Sequence, residues 1–292
     1  MSLKFAIKAM CPPAIWALGR RAKKSLLAFG PARNAWFALR DLADRAGGKS
    51  DPLFPPRALQ FAVGWSFHEA GAAAVRQLVD LAELQPNDRV LEVGSGCGRV
   101  AVPLTKFLGE KATYDGFDIM ADCVAWCQKA ITPRFPNFRF VPADVHNRLY
   151  NPRGSTPIER YRFPYADGAF DVVFLTSVFT HLVPEACDRY LGEVARVMRR
   201  GGRCMATFFL MNAYSQGLVE QGRGEFRFAA QPGGFWTTNV KVPEVAVALP
   251  EAWVYERLAM HGLSIERTEY GSWCGRGEVN SGQDVLVLRK WR

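Results

Sequence analysis

The stretch VLEVGSGCGRV, residues 90–100, decides the fold. It places Gly94, Gly96 and Gly98 within five positions, directly behind one apolar run and ahead of another. Glycine costs the most conformational freedom to order, and it alone takes positive φ freely and leaves bare backbone for another molecule to lie against. A generic strand-to-helix turn needs one glycine. Three at alternate positions predict a turn that cradles a nucleotide or a nucleoside at the edge of a sheet.

Outward from that turn the pattern alternates between short apolar strands and amphipathic helices. Strands are predicted at RVLEVG, TYDGFDI, FRFVPAD, FDVVFLTS and RCMATFFL, the last following a Gly201-Gly202 turn. Helices are predicted at FHEAGAAAVRQLVDLAEL, RVAVPLTKFLG, MADCVAWCQKAI, PEACDRYLGEVARVMRR and PEAWVYERLAMHG, with Pro103 limiting where the second can begin. Such alternation specifies a doubly wound, Rossmann-like α/β sheet, parallel for the most part. The final strands, SIERTEYGSW and QDVLVLRKW, are joined by CGRGEVNSG alone. That connection is too short for a parallel crossover, so the last strand is predicted to run antiparallel. Two long excursions remain, 146–168 and 212–248.

In this architecture ligands bind beyond the carboxyl ends of the strands where the winding reverses. Asp118 ends the second predicted strand, twenty residues after Gly98, where a carboxylate can accept both hydroxyls of a ribose or cap the next helix. Asp144 ends the third, where it can accept an adenine amine or form a turn. A dinucleotide site favours GxGxxG, but Arg99 stands at the final glycine and Glu92 lies two residues ahead of the first. A carboxylate so placed repels a pyrophosphate and suits a cation.

The ordered set LEVGSGCG, GFDI, PADV and FDVVFLTSVFTHL, followed by RVMRRGGRCMATFFL, resembles the class I S-adenosylmethionine-dependent methyltransferases. The resemblance spans roughly residues 60–292 and implies a seven-stranded sheet with an antiparallel last strand and S-adenosyl-L-methionine as cofactor. It implies that Glu92, Gly94, Ser95, Gly96 and Gly98 surround the methionine moiety, with Asp118 on the ribose and Asp144 near the adenine. Ile119, Val145 and Thr176 complete the expected cofactor-binding set. SVFTHL with YNPRG is similar to a bacterial subgroup acting on small molecules, sugars or lipids. The acceptor loop after the fourth strand lacks the (D/N/S)PP(Y/F) cluster common in methyltransferases of nucleobase amines, which speaks against a nucleic-acid substrate.

O-methylation of a small, sugar or lipid-linked acceptor is therefore expected, with an N-methyltransferase or a non-catalytic cofactor-binding module as alternatives. His181, in the acceptor loop, is the candidate general base, because an imidazole can take a hydroxyl proton near neutral pH; a loop histidine can equally cap a helix or meet solvent. His68 is a second candidate, and Thr176, Ser177 and Thr180 are candidates for positioning. Residues 212–248, with Phe226, Phe228, Phe235 and Trp236 among glycines, read either as a mobile substrate cover or as a surface loop with its own aromatic cluster.

Charge separates the chain's two ends. The net charge is +9, and residues 1–50 hold ten Lys/Arg against Asp41 and Asp44, so the remainder is close to neutral. The main domain therefore has no bulk electrostatic case for a polyanion. Residues 1–57 are expected to form a basic helical extension and linker, and residues 58–292 the catalytic domain. Within the extension Ile15, Leu18, Ala22, Leu26 and Phe29 form an apolar stripe flanked by Arg20, Arg21, Lys23 and Lys24. Contact of residues 1–30 with an anionic membrane and packing on protein are the two readings. Seven cysteines, without a CxxC pair or a Cys/His cluster, suit reduced thiols in the cytoplasm and no metal site; Cys123 and Cys127 read as buried helix residues.

Overall fold

A computed structural model describes residues 30–48, 51–62, 67–277, 279 and 281–291. The expected helix and membrane face of residues 1–29 lie outside the described residues. The chain divides into two compact units, residues 1–65 and 66–292.

The first unit contains α1 (Gly30–Ala46) and α2 (Arg57–Ala62). Asp41 and Asp44 lie three positions apart and therefore share one side of α1. Both pair with Arg57 at the start of α2, and Asp41 also accepts the Arg57 N–H. Phe37 is buried, with Phe61 at 5.9 Å between ring centroids. Trp36, Leu39 and Leu42 remain exposed at 40, 63 and 63%.

The second unit is built on a seven-stranded sheet: β1 (Arg89–Val93), β2 (Thr113–Asp118), β3 (Phe138–Pro142), β4 (Phe170–Leu175), β5 (Met198–Phe208), β10 (Leu263–Glu269) and β11 (Asp284–Lys290). Their order is β10-β11-β5-β4-β1-β2-β3, and β11 runs antiparallel to both of its neighbours. This is the expected doubly wound sheet with its reversed last strand. One face is covered by α6 (Pro184–Val197) and α8 (Glu251–Met260), whose Tyr190, Leu191, Val194, Val254 and Leu258 join Leu91, Val173, Ala206 and Leu286 in a single core. Pro184 opens α6 where no N–H is needed, and its buried residues recur at helical spacing. On the other face, α5 (Ala121–Ala130) packs on β2 and β3.

Two elements differ from their sequence patterns for local reasons. The expected helix over 99–109 is a helix only at α4 (Ala101–Leu104). Pro103 has no N–H to give the Arg99 carbonyl, and that carbonyl instead lies against Gly71 of α3 (Phe67–Asp80), 2.1 Å from where a Cβ would stand. The strand expected from Arg203 begins at Met198 and runs through the glycine pair, with Gly201 at φ +70°. The extra residues bulge out: Phe170 pairs with Met198, whereas Val172 pairs with Arg203.

The 212–248 excursion is a folded lobe. β6 (Leu210–Met211), β7 (Ala229–Ala230), β8 (Trp236–Thr237) and β9 (Val247–Pro250) form a small sheet of order β6-β9-β8-β7. Asn212 caps α7 (Ala213–Glu220) reciprocally with Ser215. Phe226 and Phe228 pack on Phe209 and buried Trp273, so these aromatics form the lobe's own core, while Phe235 packs on the main one.

Candidate active site

β1 ends at Val93, and the N–H groups of Gly94 and Ser95 both donate to the Phe117 carbonyl, at 2.9 and 3.1 Å. The turn is thereby tied to the end of β2. Gly94, Gly96 and Gly98 adopt φ of +78, +51 and +79°. At Gly94 and Gly98 the space left by the missing Cβ belongs to protein: a Cβ would stand 2.6 Å from Val178 Cγ2 and 2.7 Å from Ile131 Cδ1. The sequence reading, in which these glycines clear room for a ligand, is corrected at both positions. They bring the acceptor loop and α5 onto the turn.

Asp118 is buried at the end of β2, where its Oδ2 accepts the Gly96 N–H and its Oδ1 the Met120 N–H, each at 2.7 Å. It stitches the glycine turn to the start of α5, and each oxygen keeps a lone pair for a ribose hydroxyl. Burial raises its pKa against the opposing pull of the Met120, Gly96 and Ile119 amides. Ile119 is half-buried against the main core.

Glu92 is also buried and accepts the Tyr114 hydroxyl. Burial pushes its carboxyl up to about 8, against the Tyr114 hydrogen bond and the charge of Arg99, with Asp118 adding to the rise. Burial thus favours the protonated form of Glu92 in the free protein, where the sequence suggested a standing carboxylate. Gly116 faces Glu92 across the β1–β2 register, and a Cβ there would stand 2.9 Å from Ser95 Cβ and 3.1 Å from the Tyr114 hydroxyl. Sequence reasoning missed the Tyr114–Gly116 pair; its only trace was a glycine inside an apolar strand.

Two buried hydroxyls at this rim, Ser95 Oγ and Thr180 Oγ1, have no hydrogen-bond partner. Buried polar atoms are ordinarily satisfied, so these await a ligand or water. With the spare lone pairs of Asp118 and the acid of Glu92, the turn fits an adenosyl group carrying an amino-acid tail.

Asp144 takes the second of its two expected roles, organising the local chain. Its exposed carboxylate accepts the Ser155 N–H at 3.0 Å and the Ser155 hydroxyl, and those bonds lower its pKa. It anchors the 146–168 excursion, while buried Val145 bridges to Thr156. Both lie just beyond β3, beside the Asp118 end of β2.

His181 lies in a 3₁₀ turn, Phe179–His181, in the loop whose Val178 touches Gly94. Its Nδ1 is 2.8 Å from the Glu244 carbonyl of the lobe. A carbonyl only accepts, so Nδ1 carries the proton and Nε2 presents a lone pair. Burial lowers the imidazole pKa, opposed by the Glu244 and Val245 carbonyls, and keeps the ring neutral. Tyr150 packs edge-on against it at 5.5 Å, and the Tyr150 pKa is raised by burial and then by Asp118. Tyr150 thus packs on the candidate base. Sequence reasoning noted it only within YNPRG.

Thr176 is half-buried at the end of β4. Ser177 sits at φ +60°, an uncommon angle for a non-glycine residue, with its N–H on Thr207 Oγ1 (2.7 Å) and its hydroxyl on Gln283 (3.1 Å). His68 is exposed on α3 and meets Phe67 edge-on. Among the described residues no group of three His, Cys, Asp or Glu side chains is arranged to hold a metal. Cys123 and Cys127 are buried, with thiol pKa values pushed up, and Cys127 lies 3.7 Å from the Gly96 carbonyl.

Strand order, glycine turn and buried Asp118 together define a class I S-adenosylmethionine-dependent methyltransferase domain, whose cofactor is S-adenosylmethionine. Comparison agrees: the methyltransferase-domain family matches residues 90–202. Among curated proteins the chain is similar to the methyltransferase GfsG of Streptomyces halstedii, 27% identical over 135 residues, which span 46% of this chain and 42% of GfsG. The chain thus aligns with less than half of that relative. Among solved structures, the PH0226 protein of Pyrococcus horikoshii OT3 has a TM-score of 0.53 at 15% identity, covering 78% of this chain and 92% of that one. A SAM-dependent methyltransferase of Aquifex aeolicus has a TM-score of 0.52 at 16% identity, covering 81% and 99%. The [4+2]-cyclase SpnF has a TM-score of 0.51 at 15% identity, covering 75% and 80%. At such identities these structures show the fold alone.

Proposed function

We propose that the protein transfers the methyl group of S-adenosylmethionine to an oxygen of a small-molecule, sugar or lipid-linked acceptor, with His181 as the general base. When bound, the cofactor supplies an activated methyl group on a sulfonium. Asp118 would hold the ribose, Ser95 and Glu92 the amino-acid end, and the glycine turn the backbone wall. The observation that carries the reading is the His181 tautomer: the Glu244 carbonyl fixes the proton on Nδ1, so Nε2 is the atom that takes the hydroxyl proton of the acceptor. Holding the acceptor against the methyl group supplies most of the acceleration, worth up to about 7–11 kcal/mol, and a base adds roughly 10²–10⁴ in rate.

The test is turnover of methyl-labelled cofactor against metabolite and lipid extracts, with the product identified by mass spectrometry. His181→Gln should lower kcat by about 10²–10⁴ and leave S-adenosylhomocysteine affinity unchanged. Equal rates in both proteins would remove the base. A cyclase shares this fold, so turnover rather than architecture separates transfer from a site that binds cofactor without using it. Products methylated on nitrogen would replace the oxygen assignment.

We further propose that the first unit touches an anionic membrane on the cytoplasmic side. Support comes from the ten basic residues of positions 1–50 and from the exposed Trp36, Leu39 and Leu42 on α1. The six basic residues from Lys4 to Lys24 contribute at most roughly 6 kcal/mol near such a surface. No helix among the described residues is long and apolar enough to cross a membrane. Co-flotation with vesicles rich in phosphatidylglycerol should fall at least about tenfold when positions 20, 21, 23 and 24 are neutralised. Flotation that survives neutralisation would exclude an electrostatic anchor.

A further inference from the structure

The rim beyond β5 and β11 carries an arginine with unusual surroundings. The Arg276 guanidinium lies 4.6 Å from the ring centroid of Tyr214 and 4.5 Å from that of Tyr270, held between the two. Its Nε is buried and has no hydrogen-bond partner, and among the described residues no carboxylate makes a close ion pair with it, although its charge reaches Asp284 at longer range. Arginine is weakly hydrated and stacks well on aromatic faces, and its planar fork matches a carboxylate or a phosphate. Here the stacking is satisfied and the fork is not.

Among the described residues, the hydrogen-bonding capacity of two nearby acids, Glu251 and Asp284, is taken up by other groups. Glu251 accepts the hydroxyls of Tyr255 and Tyr270 and the Asn212 amide. Asp284 accepts the N–H groups of Leu210 and Gly271 and the Trp273 indole. The backbone of Arg223 is brought against the turn: at Gly275, with φ +86°, a Cβ would stand 2.3 Å from the Arg223 carbonyl, so only glycine permits that approach. Arg223 also lacks an ion pair among the described residues.

The clamp stands on the acceptor side of the sheet. β11 begins at Asp284 two strands from β4, or roughly 10 Å at ordinary strand spacing. Gln283, next to Asp284, binds the Ser177 hydroxyl at 3.1 Å, four residues ahead of His181. The 270–283 loop and the His181 loop are therefore physically joined.

We propose that Arg276, held between Tyr214 and Tyr270, is the docking point for an anionic group, a carboxylate or a phosphate, on the methyl acceptor. This inference rests on the acceptor site assigned above. The anion lies away from the reacting oxygen, so Arg276 sets which molecules are accepted and takes no part in the chemical step. Acceptors lacking the anion leave the fork unpaired and are used poorly.

Two experiments decide it. In the full chain saturated with S-adenosylhomocysteine at low salt, inorganic phosphate and acetate are titrated separately while the arginine Nε–H signals are followed by NMR, the Arg276 signal being identified by its loss in Arg276→Lys. A saturable shift of that signal is expected, and whichever anion shifts it at lower concentration names the group. A signal indifferent to both anions overturns the proposal. In turnover, the acceptor found with labelled cofactor should be retained by an anion exchanger. Arg276→Gln should raise its KM about 10–100-fold, with kcat within threefold and cofactor affinity unchanged. A neutral acceptor, or an unchanged KM, overturns it equally. If wild-type protein binds no S-adenosylhomocysteine, the methyltransferase reading fails by itself, and the NMR titration, run without it, still decides the fate of Arg276.

Discussion

Glu92 makes cofactor affinity depend on pH in a way that can be worked out beforehand. Its carboxyl is held up to about 8 by burial. A cationic cofactor end beside it favours the ionised form, so binding below pH 8 releases the proton. The ionised fraction grows steeply as pH rises toward that value, so affinity should rise by more than about tenfold between pH 5.5 and 7.5. Calorimetry in two buffers of different ionisation enthalpy should count close to one proton released. Glu92→Gln keeps an acceptor for the Tyr114 hydroxyl and removes the titration, so its affinity should vary little with pH. In the unliganded protein the sign reverses: the folded carboxyl binds its proton more tightly than the unfolded one, so this contribution to stability is full below the ordinary glutamate range and is lost as pH rises through about 8. An affinity flat between pH 5.5 and 7.5, or an equal slope in Glu92→Gln, would refute the reasoning.

Other outcomes follow from single contacts. Asp118→Ala strands the buried N–H of Gly96, costing about 1–3 kcal/mol, frees the part-buried Met120 N–H and removes the proposed ribose acceptor. It should lower the melting temperature and weaken S-adenosylhomocysteine at least about 100-fold by calorimetry; wild-type affinity would contradict the assignment. Gly71→Ala sets a methyl 2.1 Å from the Arg99 carbonyl, a backbone atom that cannot swing aside, and should cost at least about 1–3 kcal/mol in urea unfolding. In the turnover assay, the acid limb of kcat/KM should lie below the ordinary imidazole midpoint, because burial lowers the His181 pKa, and the limb should vanish in His181→Gln.

The glycine turn and its tie to Asp118 were legible in the sequence because their parts are local. Gly94, Gly96 and Gly98 sit in one turn, and Asp118 ends the next strand, so strand periodicity and spacing alone bring them together. Ionisation was not legible, because the state of Glu92 depends on Tyr114 reaching it over Gly116 from a neighbouring strand. Asp144 showed the converse: its position beyond β3 was readable, but Ser155, eleven residues on, takes its carboxylate. In both cases the missing knowledge was a side-chain partner rather than an element.

The acceptor half lies further out of reach because no single segment contains it. His181 takes its tautomer from Glu244 and its ring contact from Tyr150, and Ser177 in its loop is held by Gln283, so four chain segments meet there. Each comes from a loop or from the folded lobe, where hydrophobic periodicity carries no information about which polar groups converge. On the proposed assignment the same dispersal would let the acceptor change without disturbing the cofactor: the glycine turn and Asp118 are held by β1, β2 and α5, and none of the hydrogen bonds shown for them passes through the lobe. Substitutions at Arg276 or Tyr150 should therefore alter acceptor use while cofactor affinity holds, and coupled losses of both would show that the lobe and the glycine turn act as one unit.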